Sequence, residues 1–188
     1  TAFRCLEGKL DLPLSYSEVL NITVEGIIHQ NMECKTNDEL GSFWRMVQFL
    51  NSEGEIYEDA DFRIRSVSRF HSSIINETEW AEPHKILYLQ KTRIFMLYKL
   101  NAHRNGETSL PEESLRYYLE NSKEYLGEQR MTYHVVKKGN QVLDFDHRDA
   151  KGQPTKMSVQ QRSYCFDYEK LVEAFDINLE MAREENNS

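Results

Sequence analysis

The side chains that could hold a metal ion stand together in one stretch, Asp144-Phe145-Asp146-His147-Arg148-Asp149. Alternating carboxylates of this kind occur in loops that bind hard cations such as calcium. The stretch lacks the glycine that makes the sharp turn of a calcium loop and the distal glutamate that binds the ion through both oxygens. We therefore expect a solvated loop at this position, and we predict no bound metal or cofactor.

Residue patterns typical of catalysis are absent from the sequence. It contains no P-loop, no dinucleotide-binding glycine motif, no zinc-protease motif and no nucleophile elbow. The three cysteines, Cys5, Cys34 and Cys165, are far apart and form no C-x-x-C pair, which fits a reducing cytoplasm better than a zinc site or a disulfide framework. Cys165 lies in an apolar stretch, so we expect it to be buried. We predict that the chain is not an enzyme, and a small hydrolase is the least favoured alternative.

The basic side chains are concentrated in one late segment of an acidic chain. The net charge is −8, and residues 1–62 alone carry −8. Residues 130–162 instead hold seven lysines and arginines against three aspartates, a net charge of +4. An acidic total disfavours nucleic-acid binding, whereas a local basic segment is either a solvated face or a surface that contacts phosphates. Both interpretations remain open at the level of charge.

Two capping boxes predict two helices in the first third of the chain. Ser15 and Glu18 form the first box, before a helix over about 15–33, and Thr36 and Glu39 form the second, before a helix that ends near Gly54. The residues 56–57 and 61–67 then alternate between apolar and polar, which predicts a β-hairpin.

The order helix, helix, hairpin recurs in the second half. A short strand over 85–89 leads into a helix that ends near Gly106, and Pro111 opens the next helix, with Leu115, Tyr118 and Leu119 on its core face. Apolar strands over 131–136 and 159–166 flank a long polar stretch, 139–156, that is typical of an extended wing. A closing helix follows from residue 167.

These patterns predict an α+β fold with two winged-helix-like subdomains, each a helix-turn-helix plus a β-hairpin. The first subdomain covers residues 1–70 and the second covers 85–188. Residues 71–84 are rich in Ser, Asn, Glu and Pro and are predicted to form a linker. A single α+β domain with one mixed sheet is the alternative.

In helix-turn-helix proteins the second helix enters the major groove, while the wing contacts phosphates. In the second subdomain that helix begins after Pro111, and Arg116 and Asn121 are its candidates for contacting bases. Four glutamates in the same stretch, Glu112, Glu113, Glu120 and Glu124, oppose such a role because they repel phosphates. The predicted nucleic-acid contacts are Arg116, Asn121, Lys123, Arg130, Lys137, Lys138, Lys151 and Lys156.

Four strings carry a resemblance to a known family: LPEESLRYYLENSKEYLG (110–127), RSYCFDYEKL (162–171), FWRMVQFLNSEGEIYEDADFRI (43–64) and KTRIFMLYKLNAH (91–103). They are similar to the C-terminal segment of large primase–helicase-like proteins of phages and mobile elements of Bacteroidetes-type bacteria. The resemblance implies a non-catalytic accessory module that follows an ATPase module in the same chain. The missing P-loop and a first residue of Thr1 instead of Met agree with a piece of a longer protein.

The expected function is therefore a DNA-binding or DNA-positioning module at the C-terminus of a mobile-element primase or helicase. We expect it in the cytoplasm and away from membranes, because no apolar run approaches the roughly 20 residues that span a bilayer. The alternative is a protein–protein interaction module on a winged-helix scaffold, without direct DNA contact, whose acidic N-terminal third docks a basic partner.

Overall fold

The structure is a computed structural model that describes residues 15–137 and 140–180, with the side chains of residues 16 and 28–37 left out of the description. The chain forms two compact units, Thr1–Leu40 and Gly41–Ser188. The predicted contact Lys138 lies outside the described residues, as does Gly139 at the start of the predicted wing.

The first described element is one long helix, α1, over Tyr16–Ser52. Its start confirms the first capping box, because the backbone N–H of Ser15 donates to Glu18 Oε2 at 2.7 Å and that of Glu18 donates to Ser15 Oγ at 3.3 Å. The prediction of two helices here is wrong, since α1 continues through residues 36–39. Thr, Asn and Asp cost only about 0.5 kcal/mol each inside a helix, so these residues do not stop it. Gly54, with φ at 66°, follows its end as predicted.

Four long strands form one antiparallel sheet in the order β1-β2-β8-β3. These strands are β1 Phe62–Phe70, β2 Thr78–Gln90, β3 Tyr125–His134 and β8 Ser158–Asp167. The shorter strands β4 Val136–Lys137, β5 Asn140–Gln141, β6 Leu143–Arg148 and β7 Pro154–Lys156 pair β4 with β5 and β6 with β7. The hairpin predicted from the second half is confirmed, with Thr132 opposite Gln160 in β3 and β8.

The first hairpin differs from the prediction. Residues 56–57 form no strand, and β1 instead pairs with β2, which begins at Thr78 inside the predicted linker. The linker prediction is therefore wrong for residues 78–84. Pro83 made this segment resemble a linker, but it lies beside the irregularity in the β1–β2 register between Val67 and Arg69, where a proline breaks no ladder bond. The two hairpins share one sheet, as the alternative of a single sheet predicted, but all its strand pairs are antiparallel, so it is not mixed.

Three more helices complete the described fold: α2 Lys91–Arg104, α3 Glu112–Glu120 and α4 Tyr168–Phe175. Pro111 precedes α3 and Gly106 follows α2 with φ at 69°, as the sequence predicts. The Asp167 side chain caps α4 by accepting from the backbone N–H of Lys170. The chain is thus a mixed α+β protein.

The helices cover one face of the sheet. Trp44 of α1 is fully buried and meets Phe166 of β8 edge to face at 5.0 Å, while Phe43 meets Tyr98 of α2 at 5.8 Å. Leu87 and Leu89 of β2 are also fully buried. Burying side chains of this size contributes about 1.5–3 kcal/mol each, so this layer is the main core.

The other face carries a smaller cluster, formed by Phe70, Ile86, Tyr88 and Cys165. Cys165 is fully buried, as predicted, and burial raises the pKa of its thiol to about 12. The thiol is therefore protonated at neutral pH and is a packing group.

The β1–β2 loop, residues 71–77, bridges the two edge strands of the sheet. Ser72 Oγ donates to the carbonyl of Leu126 at 2.5 Å, and Ser73 N–H donates to the carbonyl of Glu128 at 3.0 Å. Near the other end of β3, His134 N–H donates to the carbonyl of Asp59 at 2.8 Å. These bonds hold β3 in place along its length.

Candidate functional site

Seven of the eight predicted contacts lie among the described residues, and all seven are exposed. Arg116, Asn121, Lys123 and Arg130 belong to α3, the turn after it and β3. The remaining three lie on the segment between β3 and β8: Lys137 in β4, Lys151 in the β6–β7 turn and Lys156 in β7. The structure thus places the predicted residues in two groups, one near the sheet and one on the wing.

Arg130 forms a like-charge pair with Arg162, because the two residues lie directly opposite each other in the β3–β8 ladder. Side chains in this relation have Cβ atoms roughly 4.5–5.5 Å apart, and like charges there destabilise the sheet. Arg162 is 69% exposed and comes within 3.8 Å of Glu128 Oε2. Arg162 lies two residues before Tyr164 in β8, so the side chains of Arg162 and Tyr164 lie on the same face of the sheet, the one that the helices cover. An anion between the two guanidinium groups would relieve their repulsion.

A groove opens between α2, α3 and β8, beside this arginine pair. Its volume is about 630 Å³. Its apolar wall is formed by Phe43, Ile94, Phe95, Met96, Leu115, Leu119 and the ring of Tyr164. Four cationic side chains and one acid also line it: Lys91, Lys99, Arg116, Arg162 and Glu112. The groove therefore combines an apolar wall with a cationic rim.

Most of the rim cations have carboxylates nearby. Lys91 pairs with Glu128, Arg116 Nε lies 3.9 Å from Glu120 Oε1, and Lys91 Nζ lies 4.0 Å from the same oxygen. The Arg116–Glu120 pair is half-exposed, and such pairs contribute about 0–1 kcal/mol, so an incoming anion displaces this pair at small cost. Lys99 makes no ion pair with the described residues, and its ammonium lies 4.5 Å above the ring of Phe95.

The hydroxyl of Tyr164 stays protonated at neutral pH. Burial raises its pKa well above the ordinary value, the carboxylates of Glu120 and Glu128 raise it further, and Arg116 opposes them. The Lys91 ammonium lies 4.4 Å above the Tyr164 ring. The ring and the ammonium together form a cation–π pair at the groove.

The helix α3 and the turn that follows it are poorly suited to contacting bases. Asn121 Nδ2 donates to the carbonyl of Tyr117 at 2.8 Å, so part of its donor capacity is already used. Glu112, Glu113 and Glu120 lie on the helix, while Glu124 follows it and is buried. Leu115 and Leu119 are buried and Tyr118 is half-buried, which confirms the predicted core face.

The wing, described over residues 135–137 and 140–157, connects β3 to β8 and contains the strand pairs β4–β5 and β6–β7. Val135 N–H donates to the carbonyl of Met157, and Met157 N–H donates to the carbonyl of Val142, both at 2.8 Å. These bonds fix the base of the wing. Farther out, Phe145 is 67% exposed, and Asp149 Oδ1 accepts from the backbone N–H of Lys151 at 2.9 Å. Because Asp149 is acidic and Lys151 is basic, the outer part of the wing carries both signs of charge.

The groove cations Lys91, Lys99 and Arg162 were missing from the residues predicted from the sequence. Lys91, Phe95 and Lys99 recur every four residues, a spacing that places them along one side of α2. That spacing could have indicated a basic and aromatic helix face. Arg162 belongs to the basic segment 130–162, but its position opposite Arg130 depends on the register of the two strands.

The carboxylates of the 144–149 stretch lie on the wing. Asp144 Oδ2 and His147 Nδ1 are 2.8 Å apart, and hydrogen bonds from His147 lower the pKa of Asp144. Among residues 15–137 and 140–180, no three His, Cys, Asp or Glu side chains are grouped so as to hold a metal ion. Within the same residues, no helix has the length and apolar character needed to cross a membrane.

Comparisons with known proteins identify no relative of this chain. No protein-family model matches it, no curated protein matches it, and no solved structure matches its fold. The arguments about function below therefore rest on the sequence and on the geometry of the site.

Proposed function

We propose that this protein is a non-catalytic module that binds or positions DNA through phosphate contacts on the β3–β8 hairpin and its wing. The contacts are made by Arg130 and Arg162 on the sheet, by Arg116 and Lys123 near α3, and by Lys137, Lys151 and Lys156 on the wing. Lys138, which was also predicted, lies outside the described residues. Asn121 is a weaker contributor because its amide already donates to Tyr117.

The pairing of Arg130 with Arg162 is the observation that carries this proposal. Both side chains are exposed, and they occupy opposite positions in adjacent strands, where like charges are unfavourable. Arginine forms two parallel hydrogen bonds with a phosphate, so a phosphate beside the two side chains would add to the one carboxylate, Glu128, that lies near Arg162. Because the chain as a whole is acidic and repels phosphates elsewhere, we expect DNA to bind only at this cationic surface.

The order of elements supports a winged-helix-like role for the second half. The helices α2 and α3 are followed by a hairpin, β3 and β8, whose connection is the extended wing. In such modules the wing and strands hold phosphates and fix the position of the duplex or strand. The resemblance to primase–helicase proteins agrees with an accessory module that acts beside an ATPase module of the same chain.

Charge neutralisation of the arginine pair tests the proposal. The variants Arg130→Gln and Arg162→Gln are compared with Arg69→Gln, which removes an exposed arginine from the other edge strand, β1, where Arg69 Nε lies 3.1 Å from Glu79 Oε1. Fluorescence anisotropy with labelled DNA measures the dissociation constant at low salt. We expect each β3–β8 variant to weaken binding by about 5- to 10-fold, since each removes a charge-assisted contact.

The control variant Arg69→Gln should bind as the wild type does. Equal loss of affinity in all three variants would show that only total charge matters, and it would contradict the proposed surface. Absence of DNA binding by the wild type at low salt would contradict the DNA-binding function itself.

The second candidate function is a protein-interaction module on the same scaffold. The exposed apolar side chains of the wing, Leu143, Phe145 and Met157, favour it, because a protein partner buries such groups. A protein partner predicts that Phe145→Ser abolishes the interaction while Arg130→Gln leaves it intact. The DNA-binding function predicts the opposite order of effects.

A further inference from the structure

The phosphate contacts proposed above use two cations at the rim of the groove between α2, α3 and β8, Arg116 and Arg162, but leave its apolar wall without a role. We propose that the groove receives an unstacked nucleobase, so that the module binds single-stranded DNA in preference to duplex. This inference rests on the proposed DNA-binding function. Its observations are the shape of the groove, the aromatic side chains that line it and the cations at its rim.

The size and lining of the groove fit one nucleotide. Its volume of about 630 Å³ lies within the range of roughly 300–1,000 Å³ that is usual for small-molecule sites. Its wall is mostly aliphatic, and the half-buried Phe95 is the aromatic ring that a base can reach, because Phe43 and Tyr164 are buried. Every base has an apolar π-face, and stacking on aromatic rings is the usual way in which proteins hold the bases of single strands.

Two cations stand over the aromatic rings of the groove. Lys99 Nζ lies 4.5 Å from the centre of the Phe95 ring, and Lys91 Nζ lies 4.4 Å from that of Tyr164. A nucleotide complements both features, because its flat apolar base can pack on a ring while its anionic phosphate pairs with a cation. Lys91 also pairs with Glu128, so Lys99, which has no carboxylate partner among the described residues, is the more available of the two.

The groove is continuous with the phosphate-binding surface, because Arg116 and Arg162 belong to both. Arg162 lines the groove and also lies opposite Arg130 in the β3–β8 ladder. A nucleotide whose base enters the groove therefore has a neighbouring phosphate beside the arginine pair. In a duplex the bases are stacked and paired, and extruding one has an energetic cost, so a base-binding groove selects single strands.

The charge of the rim favours a phosphate chain over other occupants. Lys91, Lys99, Arg116 and Arg162 line the groove together with Glu112, and Glu120 and Glu128 lie near the cations. An uncharged ligand leaves these cations unused, and an acidic peptide leaves the aromatic rings without a flat partner. A single strand of DNA uses both features at once.

The test compares three labelled strands of equal length, about 15 nucleotides, which is near the upper site size of single-strand-binding folds. They are oligothymidylate, an abasic strand with the same phosphates, and a duplex. Fluorescence anisotropy with the whole chain measures each affinity. We expect oligothymidylate to bind about 10-fold more tightly than the abasic strand, the effect of a stacked base, and also more tightly than the duplex.

Two groove variants and one control make the assignment specific. Phe95→Leu and Lys99→Gln should each weaken oligothymidylate binding several-fold, and Phe95→Leu should leave the abasic strand unaffected. Tyr117→Leu removes an aromatic ring that is 60% exposed on α3 and does not line the groove, so it should change neither affinity. Lys99→Gln keeps the test valid if Phe95→Leu does not fold.

Equal affinity for oligothymidylate and the abasic strand would overturn the base-binding groove. If Arg130→Gln still weakened both strands in that case, the phosphate-binding function would stand without the groove. If neither strand bound at low salt, both proposals would fail together. Tighter binding to duplex than to either single strand would also contradict the inference.

Discussion

Single side chains in this protein have roles that depend on what surrounds them, as Asp167 shows. It caps α4, accepts from Lys170 Nζ at 3.0 Å and lies 3.0 Å from His84 Nε2. Burial tends to raise the pKa of the Asp167 carboxyl, but these hydrogen bonds outweigh burial and lower the pKa below its ordinary value. The carboxylate form is therefore stabilised by folding.

This lowered pKa predicts how stability depends on pH. Because the folded-state pKa is below the unfolded value of about 4, the stabilisation is complete above pH 4 and is lost as the pH falls through the folded-state value. Replacing Asp167 by Asn should lower the free energy of unfolding at pH 7 by about 1–3 kcal/mol. The difference from the wild type should shrink toward pH 2.

Urea unfolding at pH 7 and at low pH measures both effects. Asp146→Asn, an exposed change on the wing, serves as the control and should alter stability by less than about 0.5 kcal/mol at either pH. A loss in Asp167→Asn that stayed constant with pH would mean that the carboxylate itself contributes nothing.

At the scale of elements, the β1–β2 loop, residues 71–77, packs against β3 and holds that strand in position. Gly127 has φ at 105°, and a Cβ atom there would clash with Ser72 Oγ and approach Ile74 Cγ1 to 2.9 Å. The absence of a side chain at this position lets residues 71–75 lie against β3. The same glycine sits at the irregularity in the β3–β8 register, three residues before Arg130.

Gly127→Ala should therefore destabilise the protein more than a typical glycine substitution. We expect a loss of about 2–4 kcal/mol, from the positive φ and from displacement of the loop. Gly152→Ala is the matched control, since it has φ at 77° but no atom within 4 Å of the added Cβ, and it should cost only about 1 kcal/mol. Thermal unfolding measures both, and equal losses would show that the loop contact does not matter.

Much of the element order follows from the sequence, because local signals determine it. The Ser15 capping box, Pro111, Gly106 and the alternating strands of the second hairpin all act within a few residues, and the structure contains each predicted feature. Two predictions were wrong, the partner of β1 and the helix break at residues 36–39. The β1–β2 pairing crosses a polar stretch that resembles a linker, and nothing local at residues 36–39 shows that α1 continues there.

The candidate site, like the order of elements, could be predicted only in the part that local sequence signals determine. The basic character of residues 130–162 is visible in the sequence, and it led to Arg130 and the wing lysines. The register that sets Arg130 opposite Arg162, and the packing that brings Lys91, Lys99 and Arg116 around one groove, are tertiary facts. They depend on strand pairing and on helix packing, which no single segment encodes.

At the scale of the whole molecule, the central claim is that an acidic chain binds DNA through a local cluster of cations. Such binding releases counterions from the phosphates, so affinity falls as salt rises even though the net charge of the protein is −8. The most direct measurement is the affinity for single-stranded DNA from low to physiological salt. The account predicts a linear fall of log K against log salt, with a slope near −0.7 for each phosphate contact, and a shallower slope for Arg130→Gln. A flat dependence, or no binding at any salt concentration, would contradict it.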